Sequence, residues 1–207
     1  MSHFRKPLAA AAVLNAAICL TEGAAAVSAS SLSLLMDAIH NLSDELALVF
    51  LLAALLVSRR PSSNLVRCAN LMNSMGLLAV SVLIAWQAID RTLHPMPVHG
   101  AIPIVFGLGA ALGNWGVARL LRGPSEHSAA IRLSYLHNLG DVYVSLVPAA
   151  AGLLVALSGY AVLDALVALL VAAWFAVGTA RELLGSHQEL IWPEGLTCSH
   201  AEEIATP

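Results

Sequence analysis

The sequence predicts an all-α membrane protein, a bundle of six transmembrane helices with both termini in the cytoplasm. Of its 207 residues, 58% are hydrophobic and only 11% are charged. The mean hydropathy of +0.79 is far too high for a soluble domain. Six apolar segments are each long enough to supply the roughly 20 residues that a membrane-spanning helix needs. We therefore expect the lipid bilayer as the main partner of this chain, and no nucleic acid.

The six segments occupy residues 7–28, 32–57, 71–93, 100–121, 129–157 and 160–184. Stretches rich in Ser, Pro and Gly separate them and favour turns, at 28–31, 59–61, 94–97, 123–125 and 158–159. No clear cleavage site follows the first segment, so we interpret it as a retained span. We expect residues 1–185 to form one transmembrane domain. The polar residues 186–207 are too few for a second folded domain and are expected to form a short cytoplasmic tail.

Two of the spans carry features that concern packing. In the fifth, the ring of Pro148 crowds the carbonyl of Val144 and removes one backbone hydrogen bond, so we expect a kink there. In the fourth, Gly109 and Gly113 form a small-residue pair with Gly116 close by, which favours close approach of a neighbouring helix.

The distribution of basic residues predicts the orientation. Nine of the ten fall on one side of the six-span arrangement and only Arg91 falls on the other, and an excess of Lys and Arg marks the cytoplasmic face. The nine are Arg5, Lys6, Arg59, Arg60, Arg67, Arg119, Arg122, Arg132 and Arg181. The preference for Arg over Lys and the abundance of Ala are typical of a bacterial genome, so we expect the bacterial inner membrane.

Two similar pentapeptides lie near the middle of the second and fifth spans. Each, His40 to Asp44 and His137 to Asp141, places a histidine and an aspartate four residues apart. On a helix that spacing puts both side chains on one face. Two such helices brought together offer two imidazoles and two carboxylates, which is a complete tetrahedral ligand set for zinc.

Other polar residues also fall inside the predicted spans, where a charge is costly and often functional. Glu22, Asp37 and Asp164 have two open interpretations, a functional role or simple pairing and helix capping. Glu45 points about 100° away from Asp44 and is left outside the ligand set. Asn41 and Asn138 also point off the ligand line, where they either orient ligands or pack helices together.

With these residues in place, the sequence resembles the cation diffusion facilitator family of proton-coupled zinc exporters over almost its whole length. The stretch 31–44 resembles the signature of the family's second span, and 135–141 that of its fifth. Glu22-Gly23, the stretch 86–91 and Asp164 resemble its first, third and sixth spans.

The resemblance implies that His40, Asp44, His137 and Asp141 bind the transported metal. It implies Zn²⁺ as substrate, Cd²⁺ or Co²⁺ as lesser substrates, H⁺ as counter-ion and a homodimer. The family's cytoplasmic ferredoxin-like domain would begin near Trp192, so we expect its metal sensing and its dimer contacts not to carry over.

The residues and the resemblance together give one functional hypothesis. The chain is a Zn²⁺/H⁺ antiporter that works by alternating access, with no catalytic residue and no resident cofactor. Two alternatives remain open at this point, a non-transporting metal sensor or partner subunit and a membrane-embedded metalloenzyme. An enzyme needs an open metal position with a base such as Glu45 beside it.

Overall fold

The computed structural model describes residues 2–57, 63–126 and 129–185, so the tail expected at 186–207 lies outside the described residues. The described part is helical and contains no strand. Its helices are α1 (Ser2–Ala29), α2 (Leu32–Val57), α3 (Ser63–Leu93), α4 (Ala101–Ser125), α5 (Ala129–Val144), α6 (Leu146–Ser158) and α7 (Val162–Gly185). The six expected spans correspond to α1 to α4, to α5 with α6, and to α7. The prediction of an all-α membrane fold is confirmed.

The fifth span is divided at Ser145. It is one apolar stretch, Ser134–Ser158, yet α5 ends at Val144 and α6 begins at Leu146. Pro148 has no backbone N–H for the carbonyl of Val144 four residues earlier, so the hydrogen-bond ladder is interrupted there. The predicted kink is confirmed, and it lies one helical turn after Asp141.

Five helices in the described part are long and apolar enough to cross a membrane. The remaining long helix, α2, carries three carboxylates, of which Asp37 and Asp44 are buried. Large apolar side chains face outward instead, with Trp86 74% and Trp174 79% exposed. A lipid environment favours this arrangement, in which polar groups lie inside the bundle and apolar groups face outward.

The helices pack in two groups joined by α2, with a further contact between α6 and α7. On one side, α1 packs against α2 and α4, and α4 packs against α5 and α6; on the other side, α3 and α7 pack against each other. Leu48 of α2 belongs to the apolar cluster of the first group. Leu32 and Met36 of α2 belong to the cluster of the second. The central helix of the fold is therefore α2.

Glycines let α4 approach two neighbours closely. A Cβ on Gly113 would lie 2.5 Å from the side chain of Ile18 on α1, and one on Gly107 would lie 2.9 Å from the carbonyl oxygen of Ser145. The predicted pair is only half right, because a Cβ on Gly109 would meet nothing within 4 Å. Gly107 holds α4 directly against the break in the fifth span.

The turn between α1 and α2 is held by two other elements. Ser30 has a positive φ of 55°, a conformation that is uncommon for a residue with a Cβ. The guanidinium of Arg91 on α3 donates to the carbonyl oxygen of Ser30. The backbone N–H of His99, just before α4, donates to the carbonyl of Ala29 at 3.2 Å.

Asp164 of α7 caps the N-terminus of α2. One carboxylate oxygen accepts from the backbone N–H of Leu32 at 2.7 Å. The other accepts from the hydroxyls of Ser31 at 2.7 Å and Ser33 at 2.5 Å. These bonds satisfy donors that a helix start leaves free, and they place a negative charge at the positive end of the helix dipole. Of the two interpretations open for Asp164, the structure supports helix capping.

We expect Gly107→Ala to destabilise the bundle, because the added methyl would meet rigid backbone atoms of Ser145 and Ala149. Overpacking of this kind typically costs about 1–3 kcal/mol. The measurement is the thermal unfolding midpoint in detergent. Gly109→Ala is the matched control, with the same change on the same helix but open space around it, and equal midpoints for the two variants would contradict the packing described here.

We expect Asp164→Asn to lower the free energy of unfolding by about 1–3 kcal/mol, because an amide cannot accept from all three donors and lacks the charge. The control is Asp90→Asn, whose side chain is 66% exposed and pairs at 3.2 Å with His94, the residue that follows the end of α3. Denaturant titration of both variants in the same detergent measures the difference. A cost at Asp90 as large as that at Asp164 would show that any lost carboxylate has this effect.

Candidate metal centre

The two His-Asp pairs meet where α2 and α5 cross. His40 and Asp44 lie one helical turn apart on α2, and His137 and Asp141 lie one turn apart on α5. One ligand atom from each of the four residues lies within 4.8 Å of the other three. The structure therefore brings together all four residues that the sequence singled out.

Each histidine is hydrogen-bonded to the aspartate of the other helix. Nε2 of His40 lies 3.1 Å from Oδ1 of Asp141, and Nε2 of His137 lies 2.7 Å from Oδ1 of Asp44. The distances within one helix are longer, 3.7 Å for His40 to Asp44 and 4.0 Å for His137 to Asp141. The cross-helix pairs hold α2 and α5 in register at this point.

The four side chains differ in their access to the surface. His40, Asp44 and Asp141 are buried, whereas the side chain of His137 is 49% exposed. The imidazole of His40 stacks on Phe175 of α7, with ring centroids 4.4 Å apart and planes 28° apart. Three ligand groups are therefore fixed by packing, while the fourth lies at the edge of the cluster.

The spacing of the donors suits a small divalent ion. Zinc bonds of about 2.0–2.2 Å place neighbouring donors of a tetrahedron about 3.4 Å apart, and the four histidine-to-carboxylate distances of 2.7 to 4.0 Å lie around that value. Oδ2 of Asp44 and Oδ2 of Asp141 are buried without a hydrogen-bond partner. Two carboxylates also balance the charge of a divalent cation. The donor set fits zinc in number, type and spacing.

A second polar group lies beside this cluster. Asn41 donates through Nδ2 to Oε2 of Glu22 at 2.7 Å, and Asn114 of α4 donates to Oδ1 of Asn41 at 3.2 Å and to Oγ of Ser145 at 3.0 Å. The sequence reasoning did not identify Asn114, Ser145 or Phe175. An amide in the middle of an apolar span is a signal that would have identified Asn114.

The remaining polar residues of α2 and α5 lie outside the cluster. Glu45 is not part of it, as its helical position predicted. Asn138 donates to the backbone carbonyl of Ser134 on its own helix at 2.9 Å, which is a packing role. Asn41 joins three helices instead: its side chain contacts Glu22 and Asn114, and its backbone carbonyl accepts from Asn15 at 3.0 Å.

Known proteins resemble this chain along most of its length. Residues 8–191 match the family described as the cation efflux transmembrane domain. The zinc transporter ZitB of Escherichia coli (strain K12) is 32% identical over 187 residues, covering 86% of this chain and 60% of the relative. The metal cation efflux system protein CzcD of Cupriavidus metallidurans is 25% identical over 214 residues, covering 98% and 68%. The chain thus spans about three fifths of the length of this ZitB.

A third relative is named the cadmium, cobalt and zinc/H(+)-K(+) antiporter, from Bacillus subtilis (strain 168). It is 29% identical over 153 residues, covering 69% of this chain and 49% of the relative.

The apolar helices and the bacterial relatives together indicate where the chain is located. It is an integral, multi-pass protein of the bacterial inner membrane. The resemblance seen in the His-Asp signatures is confirmed, and this chain belongs to the cation efflux family, the cation diffusion facilitators.

Proposed function

We propose that this chain is a divalent metal efflux transporter whose main substrate is Zn²⁺, bound by His40, Asp44, His137 and Asp141. The observation that carries the proposal is the convergence of these four side chains within 4.8 Å, between two helices inside an apolar bundle. The names of the relatives, a zinc transporter and metal efflux systems, support it. Cd²⁺ and Co²⁺ are proposed as lesser substrates, because a borderline ion of similar charge meets the same donors.

The chemistry of the four donors makes zinc binding depend on their protonation. Zinc binds the neutral imidazole and the ionised carboxylate. In the metal-free arrangement, Nε2 of each histidine faces a carboxylate oxygen and so carries a hydrogen. The same nitrogen must present its lone pair to the metal, so this hydrogen must leave Nε2. A neutral imidazole moves it to Nδ1, whereas an imidazolium releases a proton. We propose H⁺ as the counter-ion on this ground, and the antiporter name of one relative supports it.

Alternating access requires that the cluster open to each face in turn. In the described structure, α5 packs mainly against α4 and makes few contacts with α2. The break at Ser145 follows directly after the ligand-bearing turn of α5. We propose that α5 moves relative to α2 about this break, which separates the two ligand pairs and lowers the affinity for the ion. Helix ends that absorb a backbone change act as hinges in this way.

A transporter accounts for the site better than an enzyme does. All four histidine and aspartate groups lie in one cluster and can fill a tetrahedral coordination sphere, whereas a catalytic zinc keeps one position for water. Glu45, the residue that an enzyme would need as a general base, lies outside the cluster. We also propose that residues 1–185 form the efflux domain. The homodimer and the cytoplasmic position of both termini stay predictions.

We expect Asp141→Ala to abolish zinc transport into proteoliposomes under an imposed pH gradient and to weaken zinc binding in detergent at least about 100-fold. The variant removes a ligand and leaves its partner His40 unpaired. Asp90→Ala, on the exposed end of α3, is the control and should transport normally. Unchanged zinc flux in the Asp141 variant would contradict the assignment, and wild-type binding of zinc without any flux would favour the sensor or partner-subunit alternative.

We expect Asp44→His to change the selectivity among metals. Three imidazoles and one carboxylate leave the bound ion with an uncompensated charge and favour softer ions. The ratio of Zn²⁺ to Cd²⁺ transport should fall by about tenfold, which corresponds to about 1.4 kcal/mol. Competition between the two ions in one flux assay measures the ratio directly, and an unaltered ratio would mean that Asp44 does not contact the ion.

A further inference from the structure

Five buried polar side chains next to the metal centre are not among its four proposed ligands. They come from α1, α2, α4 and the break between α5 and α6. Each of them is no more than 2% exposed. The five are Glu22, Asp37, Asn41, Asn114 and Ser145, and we call them the polar ring.

The name describes their contacts. Asn41 bonds to Glu22 at 2.7 Å, and Asn114 bonds to both Asn41 at 3.2 Å and Ser145 at 3.0 Å. The carboxylate of Asp37 lies beside both Ser145 and Glu22, which closes the ring. Neither oxygen of Asp37 completes a hydrogen bond of normal geometry with them.

The carboxylates of the polar ring receive few hydrogen bonds. Its two carboxylates offer four oxygen atoms, and only Oε2 of Glu22 receives a donor. Both nitrogen-bound hydrogens of Asn114 are already used, on Asn41 and Ser145. Oε1 of Glu22 and both oxygens of Asp37 are buried without a partner. With both carboxylates ionised, the ring would carry two negative charges facing each other.

One added proton would reduce both the repulsion between the two carboxylates and the shortage of donors. Buried carboxylates are very costly without a cation or donors, and two adjacent carboxylates in an apolar site do not both ionise. In the described part of the chain no Lys or Arg bonds to either carboxylate, and the only donor that reaches them is Asn41, at Oε2 of Glu22. A proton on one carboxyl cancels one charge and supplies the missing donor.

We propose that Glu22 is a proton-binding site separate from the metal centre, holding a proton on Oε1 that is donated to the carboxylate of Asp37. Glu22 bonds to Asn41 and lies beside Asp37, and neither of these is a metal ligand. The charged or titratable groups facing it are Asp37 from α2 and Cys19 on its own helix. Asp37 in turn faces His40 of α2 and Asp141 of α5. From α4 the ring receives only the neutral amide of Asn114.

The position of the ring would couple this proton to the transport cycle, a step that rests on the proposed function. Ser145 is the residue at which the fifth span breaks, and its N–H donates to the carbonyl of Asp141 at 2.9 Å. Movement of α5 there would pull Ser145 away from Asn114 and change the donors available to the ring. A site whose partners differ between two helix arrangements has different proton affinities in them. Glu22 would then carry a counter-ion proton of its own.

Infrared spectroscopy of the metal-free protein at neutral pH tests the site. Wild type should show the carbonyl stretch of a protonated carboxylic acid, and selectively labelled glutamate should shift that band. Glu22→Gln should remove it, because Gln supplies the same donor permanently, whereas the control Asp90→Asn should keep it. Absence of the band in wild type, or its insensitivity to the glutamate label, would overturn the proposal even if the variant failed to fold.

Transport measurements test the coupling. Glu22→Gln should still bind zinc, as measured by titration calorimetry. In proteoliposomes, however, it should exchange one proton fewer per transported zinc ion than wild type. An unchanged ratio would overturn the role of Glu22 as a carrier of counter-ion. Failure of wild type to bind zinc would instead contradict the proposed function, and the infrared result would stand independently of it.

Discussion

The structure depends on a single constraint, the burial of carboxylates in the centre of an apolar bundle. Asp37 and Asp44 lie on α2, and Asp141 meets them from α5, all at least 93% buried. A membrane interior offers no water to solvate them, so protein groups, protons or a cation must compensate each charge. The other helices supply these partners, and α2 therefore lies between the two helix groups.

The carboxylates along α2 differ in their hydrogen-bond partners, and this difference distinguishes a structural carboxylate from those proposed to bind an ion. At the start of the helix, Asp164 bonds to backbone and hydroxyl donors that are always present, so its charge is fully satisfied. At the proposed metal centre, the aspartates face imidazoles whose hydrogens can leave, and each keeps one oxygen free. A satisfied carboxylate stabilises a helix end, whereas a partly satisfied one has capacity left for an ion.

The break at Ser145 joins the polar groups to the helix that carries His137 and Asp141. A continuous fifth helix would fix Asp141 rigidly relative to α6 and α4. With the ladder interrupted by Pro148, the contact of Gly107 with Ser145 and the bond from Asn114 are what hold the junction in place. Ser145 thus takes part in the close packing of α4, belongs to the polar ring and follows directly after the helix that carries two of the proposed ligands.

The sequence by itself determined the spans, the kink at Pro148 and the four candidate ligands, because hydropathy, proline chemistry and i, i+4 spacing are local properties of a helix. It did not determine that each histidine pairs with the aspartate of the opposite helix, that Asp164 caps α2, or that Asn114 and Ser145 link Glu22 to the metal centre. Those contacts join different helices, mostly more than 30 positions apart along the chain, and which groups meet depends on how the helices rotate and cross. Only the tertiary structure fixes that, since packing sets the helix orientations and the charge balance follows from them.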